Sequence, residues 1–75
     1  MKGGEIMISG VIIDALKEGK AARIVTTVPG IEYKVKKLIS ETKYLITFET
    51  SNKTVYLIPS QVLSVEITER GGRVL

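Results

Sequence analysis

KYLITFETSNKTVYLIPSQVLSVEIT, residues 43–68, decides the fold: three short apolar runs, separated by polar breaks of about three residues. In residues 43–50, Tyr44, Ile46 and Phe48 fall on one face of an extended chain, and Lys43, Thr47 and Glu49 on the other. Residues 62–68 alternate without exception, Leu63, Val65 and Ile67 against Val62, Ser64, Glu66 and Thr68. A period of two is the mark of a strand with one covered face. Between them, residues 54–58 (TVYLI) form an almost unbroken β-branched and aromatic run, the pattern of a strand covered on both sides. The stretch predicts consecutive strands of a small antiparallel β domain.

Upstream, residues 21–28 (AARIVTTV) predict a first strand, ended by Pro29-Gly30. Proline fixes φ there, and glycine is free to take a positive value. Residues 31–39 (IEYKVKKLI) predict a long second strand with Ile31, Tyr33, Val35 and Ile39 in phase. Leu38 breaks that alternation after Lys36-Lys37, which predicts a bulge or sharp bend. Ser40-Glu41-Thr42, Ser51-Asn52-Lys53 and Pro59-Ser60-Gln61 supply the remaining turns. Such short connections imply that strands adjacent in sequence pair antiparallel. Five twisted strands in so few residues best satisfy their inner faces by curling into a small barrel.

Residues 6–19 (IMISGVIIDALKEG) admit two readings. As a helix, Ser9 caps the start, Ile8, Ile12, Ala15 and Leu16 share a face, and Gly19 closes the end. As a strand, residues 6–13 are β-branched and residues 17–20 form a hairpin turn. Gly10 weakens the helix and Asp14-Ala15-Leu16-Lys17 weakens the strand; the preferred reading is a short helix from about Ser9 to Glu18. Residues 1–5 read as a loose arm and residues 69–75 (ERGGRVL), where alternation stops, as a mobile tail. The whole is one α+β, mostly β domain over residues 1–75.

Composition narrows the function classes. The chain has no histidine, which removes the commonest general base and transition-metal ligand, and no cysteine, which removes thiolate chemistry and disulfides. Its five serines have nothing to activate them. Asp14 and Glu18 share a helix face without a further ligand, and Gly30 lacks the glycines and following helix of a phosphate cradle. The expectation is a protein that is not an enzyme and carries no cofactor and no metal. Eleven basic against eight acidic residues give a net charge of +3, compatible with nucleic acid without being its signature. Residues 1–7 lack the apolar core of a signal peptide, and no run is long enough to span a bilayer. The expected compartment is the cytoplasm, with no membrane partner. A small aliphatic chain without a covalent staple often gains stability by oligomerising.

A short amphipathic helix followed by a five-stranded, strongly bent meander resembles the Sm-like family, and its Hfq branch in particular, from about Ile12 to Ile67. Asp14-Ala15-Leu16-Lys17 resembles the end of the family's N-terminal helix, and residues 24–31 (IVTTVPGI) its first strand and the glycine turn after it. Residues 43–48 (KYLITF) resemble the start of its third strand, where an aromatic residue follows a polar one; Val55-Tyr56 and residues 62–65 (VLSV) resemble its last two strands. Val35 stands where the family's second glycine falls, Ser60 and Gln61 where the Hfq branch carries lysine and histidine, and Glu41 is the nearest substitute for the aspartate before the aromatic residue. The resemblance implies a homo-oligomeric ring, hexamer or heptamer, in which the fourth strand of one subunit pairs with the fifth of the next. It also implies single-stranded RNA, often uridine-rich, bound around the pore. Tyr44 would be the stacking platform, Lys43 or Thr42 its polar neighbours, and Ser60 and Gln61 the pore lining.

Each of these residues also has a plainer reading. Tyr44 either stacks a base or packs with Ile46 and Phe48. Lys34 and Lys36 point the same way and, with Lys37 and Lys43, form the densest basic cluster. They either hold phosphates or guard an edge strand against stray pairing. Ser60 and Gln61 either meet a base edge or serve a turn, and Tyr33 and Tyr56 read as barrel or interface residues. Two alternatives stand beside the RNA ring: a protein-interaction or structural subunit without a nucleic-acid role, and a barrel that binds duplex DNA by charge.

Overall fold

The computed structural model describes residues 7–69. The expected arm at residues 1–5, and the expected tail beyond Glu69, lie outside them. The N-terminal stretch is helical: α1 (Ile8–Lys17) buries Ile12 and Ala15, with Ile8 and Leu16 packed beside them. Its end is set by Gly19 at φ 79°, where the Gly19 N–H donates to the Leu16 carbonyl (3.1 Å) and the Lys20 N–H to that of Ala15 (2.9 Å). This pair of bonds satisfies carbonyls that the last helical turn leaves open. The start differs from expectation. Met7 takes the capping position without a side-chain bond, and Ser9 lies inside the first turn. Its N–H donates 2.7 Å to Glu41 Oε1, a carboxylate 32 residues away. A charge supplied from the sheet thus replaces the local hydroxyl cap, at the helix end whose dipole favours an anion. Glu41→Ala is expected to cost about 1 kcal/mol, read as a lower urea midpoint at unchanged slope.

The strands are β1 (Ala21–Thr26), β2 (Glu32–Val35), β3 (Lys37–Glu41), β4 (Ile46–Glu49), β5 (Thr54–Leu57) and β6 (Val62–Thr68), with a 3₁₀ turn at Pro59–Gln61. They form two three-stranded antiparallel sheets, β2-β1-β6 and β3-β4-β5, in place of one closed five-stranded barrel. The described residues hold six strands because Lys36 divides the expected long second one, at the doublet where the alternation broke. The Lys36 N–H still donates 2.8 Å to the Glu49 carbonyl, so the chain remains attached to β4 as it passes between sheets. Apart from β2 and β3, the two halves of the divided strand, strands adjacent in sequence pair as expected except at the last turn: β6 pairs with β1, although only residues 58–61 separate it from β5. The 3₁₀ turn carries the chain from one sheet to the other. α1 lies against β1, β3 and β6, and Ile12, Ala22, Ile24, Val35, Ile46 and Phe48 form the buried centre. No helix among the described residues is long and apolar enough to cross a membrane.

Two bulges overturn the expected phases. Leu38 pairs with Phe48 and Ser40 with Thr47, so Ile39 is the extra residue; Leu38 packs on the core and Ile39 is exposed. Val25 pairs with Ser64 and Thr26 with Val62, so Leu63 is extra in β6. Val62, Val65 and Ile67 then face the core, and Leu63, expected with them, is 67% exposed. One inserted residue flips every side chain beyond it, because the period is two. Ile31 is likewise exposed, outside β2 in the turn. Thr47, expected outward, is buried between Ile46 and Phe48. β5, expected to be covered on both sides, alternates exposed and half-buried positions because it is the border of its sheet.

Candidate functional site

Tyr44 belongs to a turn and not to the core face of a strand; β4 begins two residues later, and Tyr44 is 76% exposed. The cause is Thr42. Its Oγ1 accepts the N–H groups of Tyr44 and Leu45, both at 3.1 Å, and the Thr42 N–H donates to the Leu45 carbonyl at 2.9 Å. A threonine hydroxyl that captures the next backbone N–H groups builds a tight turn, so the expected polar neighbour of Tyr44 acts on the backbone that presents it. Lys43 Nζ lies 6.0 Å from the Tyr44 ring centroid, at the outer limit of a cation–π contact.

Ser60 and Gln61 occupy the 3₁₀ turn, both exposed. Gln61 is tied down: its carbonyl accepts the Thr27 N–H (2.9 Å) and its Oε1 the Thr27 hydroxyl (2.9 Å). The Ser60 hydroxyl has no hydrogen-bond partner among the described residues. Register places this turn and the Tyr44 turn together. Ile46 pairs with Leu57, so residues 42–45 and residue 58 leave the β3-β4-β5 sheet at the same end. Thr27 fastens the 26–31 turn there as well, where Gly30 at φ 84° and the Ile31 N–H to Val28 carbonyl bond (3.0 Å) close a type II turn.

Lys34 and Lys36 are not part of that end. They line a cleft of about 200 Å³ with Tyr33 and the 50–53 turn, beside the opposite end of β4, where Lys37 pairs with Glu49 and Glu49 with Thr54. The expected RNA-contacting residues therefore divide into two groups, Thr42, Lys43, Tyr44, Ser60 and Gln61 at one end and Lys34 and Lys36 at the other. Sequence reading missed Lys53, which joins the second group. Its place in a polar turn held no sign of this, since the meeting depends on the bend at Lys36.

Charge is distributed unevenly. Arg23 pairs with Glu32 (2.7 Å) and lies 3.9 Å from Glu66; Lys20 pairs with Glu18 (3.0 Å) and lies 3.8 Å from Glu69. The hydrogen bond to the Glu18 carboxylate, then the charges of Glu18 and Glu69, raise the Lys20 pKa above the ordinary lysine value. Among the described residues, Lys34, Lys36, Lys37, Lys43 and Lys53 make no ion pair. Comparison with known proteins adds no assignment: no family model, curated protein or solved structure matches this chain.

Proposed function

We propose that this chain is the subunit of a homo-oligomeric ring of Sm-like type that binds single-stranded RNA around its opening. The observation that carries this reading is the contrast between guarded and unguarded strand borders. β2 and β3 border their sheets and bear Lys34 and Lys37, with Lys36 between them, the kind of charge that deters further pairing. Among the described residues β5 and β6 also have one strand neighbour each, yet β5 (TVYL) has no charge and β6 (VLSVEIT) only Glu66. Tyr56 and Leu63 on these two strands are each 67% exposed. Two different unguarded borders on one subunit favour head-to-tail pairing, which closes into a ring when the rotation per step allows. The helix-first order and the sharply bent middle strand agree with the Sm-like resemblance.

In this reading the turns at that end, which carry Tyr44, Ser60 and Gln61, face the strand of RNA, Tyr44 as a platform for a base and the other two as hydrogen-bonding groups. Light scattering or native mass measurement tests the ring, and titration with labelled oligo-U, oligo-A and duplex DNA at two salt concentrations tests the ligand. A monomeric mass overturns the assembly. Tyr44→Ala is expected to weaken oligo-U binding about tenfold without changing the unfolding midpoint, since the ring is exposed. Unchanged affinity would remove Tyr44 from the site.

A further inference from the structure

The cleft at the opposite end from the Tyr44 turn has no role in that reading. We infer that it binds a phosphate monoester, the terminal phosphate of a free nucleotide or of an oligonucleotide end, held by Lys34, Lys36 and Lys53. At about 200 Å³ it is smaller than the roughly 300–1,000 Å³ of pockets that enclose drug-sized ligands, and its size suits one compact group. Among the described residues its lining includes three lysines and no carboxylate. The acids of the neighbouring strands β2 and β6 are engaged elsewhere: Glu32 and Glu66 face Arg23. Glu49 stands opposite Lys37 in the β3–β4 pair and is not among the lining residues. Among the described residues, nothing in the cleft neutralises its lysines.

The rest of the wall is built to hold those cations in place. Lys53 Nζ sits 5.6 Å from the Tyr33 ring centroid, and that ring meets Phe48 edge-on at 5.6 Å and 65°, so the ammonium rests on a side chain seated against the core. Because Lys53 covers the Tyr33 ring, the cleft reads charge and not a base. Thr50 shapes the turn above it: its Oγ1 accepts the Lys53 N–H at 3.2 Å and lies 3.1 Å from Asn52 Oδ1. The Asn52 amide N–H groups and the Ser51 hydroxyl are left as neutral donors at the rim. A monoester phosphate carries close to two charges near neutral pH and three acceptor oxygens, whereas a backbone diester carries one. Three lysines acting as point charges match the former.

The test is calorimetric titration of the full chain with uridine, its 5′-monophosphate, and a uridine octamer with and without a 5′-phosphate. The expected result is that the phosphate improves affinity about tenfold in at least one of the two pairs. An effect in the nucleoside pair identifies a free nucleotide as ligand, and an effect in the octamer pair alone a strand end. Lys36→Gln with Lys53→Gln is expected to abolish that difference and leave the circular dichroism spectrum unchanged, as both side chains are exposed. Tyr44→Ala is expected to preserve it. Equal affinity with and without the phosphate in both pairs, or a difference that survives the lysine substitutions, overturns the site. The outcome is separable from the RNA reading: a phosphate effect without binding of the unphosphorylated octamer keeps the cleft and removes the RNA ring, and the reverse pattern does the opposite.

Discussion

Phe48→Ala is expected to leave much of the protein unfolded at room temperature. Phe48 is fully enclosed, paired with Leu38 on one side and Val55 on the other, with the Tyr33 ring edge-on to it. Truncating a buried phenylalanine loses its transfer energy and leaves a cavity, together about 3–5 kcal/mol. At about 0.05–0.15 kcal/mol per residue, a chain of 75 residues has roughly 4–11 kcal/mol of stability in total. No disulfide supplements it, since there is no cysteine. Relaxation can do little to shrink the cavity, because β4 is held on both flanks by strands and buried at Ile46 and Thr47 as well. A urea titration followed by circular dichroism gives the answer, and a midpoint close to that of the parent chain would show that the core does not centre on this ring.

The difference between Phe48 and Tyr44 shows where sequence reading reached its limit. Both lie in one alternating run, and periodicity alone puts them on one face. What separates them is the Thr42 hydroxyl, which captures two N–H groups and holds the chain in a turn until Leu45. Local chemistry of this kind leaves no trace in a hydrophobic pattern. Features that depend on a single residue were legible: the Pro29-Gly30 turn, the closure of α1 by Gly19, and the break after the lysine doublet, which the structure places at Lys36. Features that depend on counting residues through a bulge were not, and Ile39 and Leu63 both point opposite to their expected faces for that reason. The partner of β6 was out of reach for a third reason. A three-residue 3₁₀ turn and a hairpin turn look alike in sequence, but one carries the chain to the other sheet and the other returns it alongside. Of the proposed site, the sequence held the residues; their grouping into two ends, and the arrival of Lys53, required the fold.

In the proposed ring, Tyr56→Lys is expected to convert the assembly into monomers. Tyr56 stands on β5 at an open sheet border, opposite Thr47, and is 67% exposed in the isolated subunit. If this border pairs with a neighbour's β6, the aromatic ring lies at a contact that a lysine disrupts twice over. It removes the apolar area of an aromatic anchor, about 2 kcal/mol or more where such a residue is central to an interface, and it places on β5 the charge that already guards β2 and β3. A closed ring has as many such contacts as subunits, and the substitution weakens every one of them. The folded subunit itself should change by no more than about 1 kcal/mol, the span of strand propensities at an exposed position. Leu63→Lys, on the opposing border of β6, should act in the same way, because the bulge turns that side chain outward. Native mass measurement of the two variants beside the parent chain decides the matter. Two monomers from a ring-forming parent, with oligo-U affinity falling alongside, assign both borders to one contact. A parent ring that survives both substitutions would place the subunit interface on another face, and the argument from unguarded edges would fall with it.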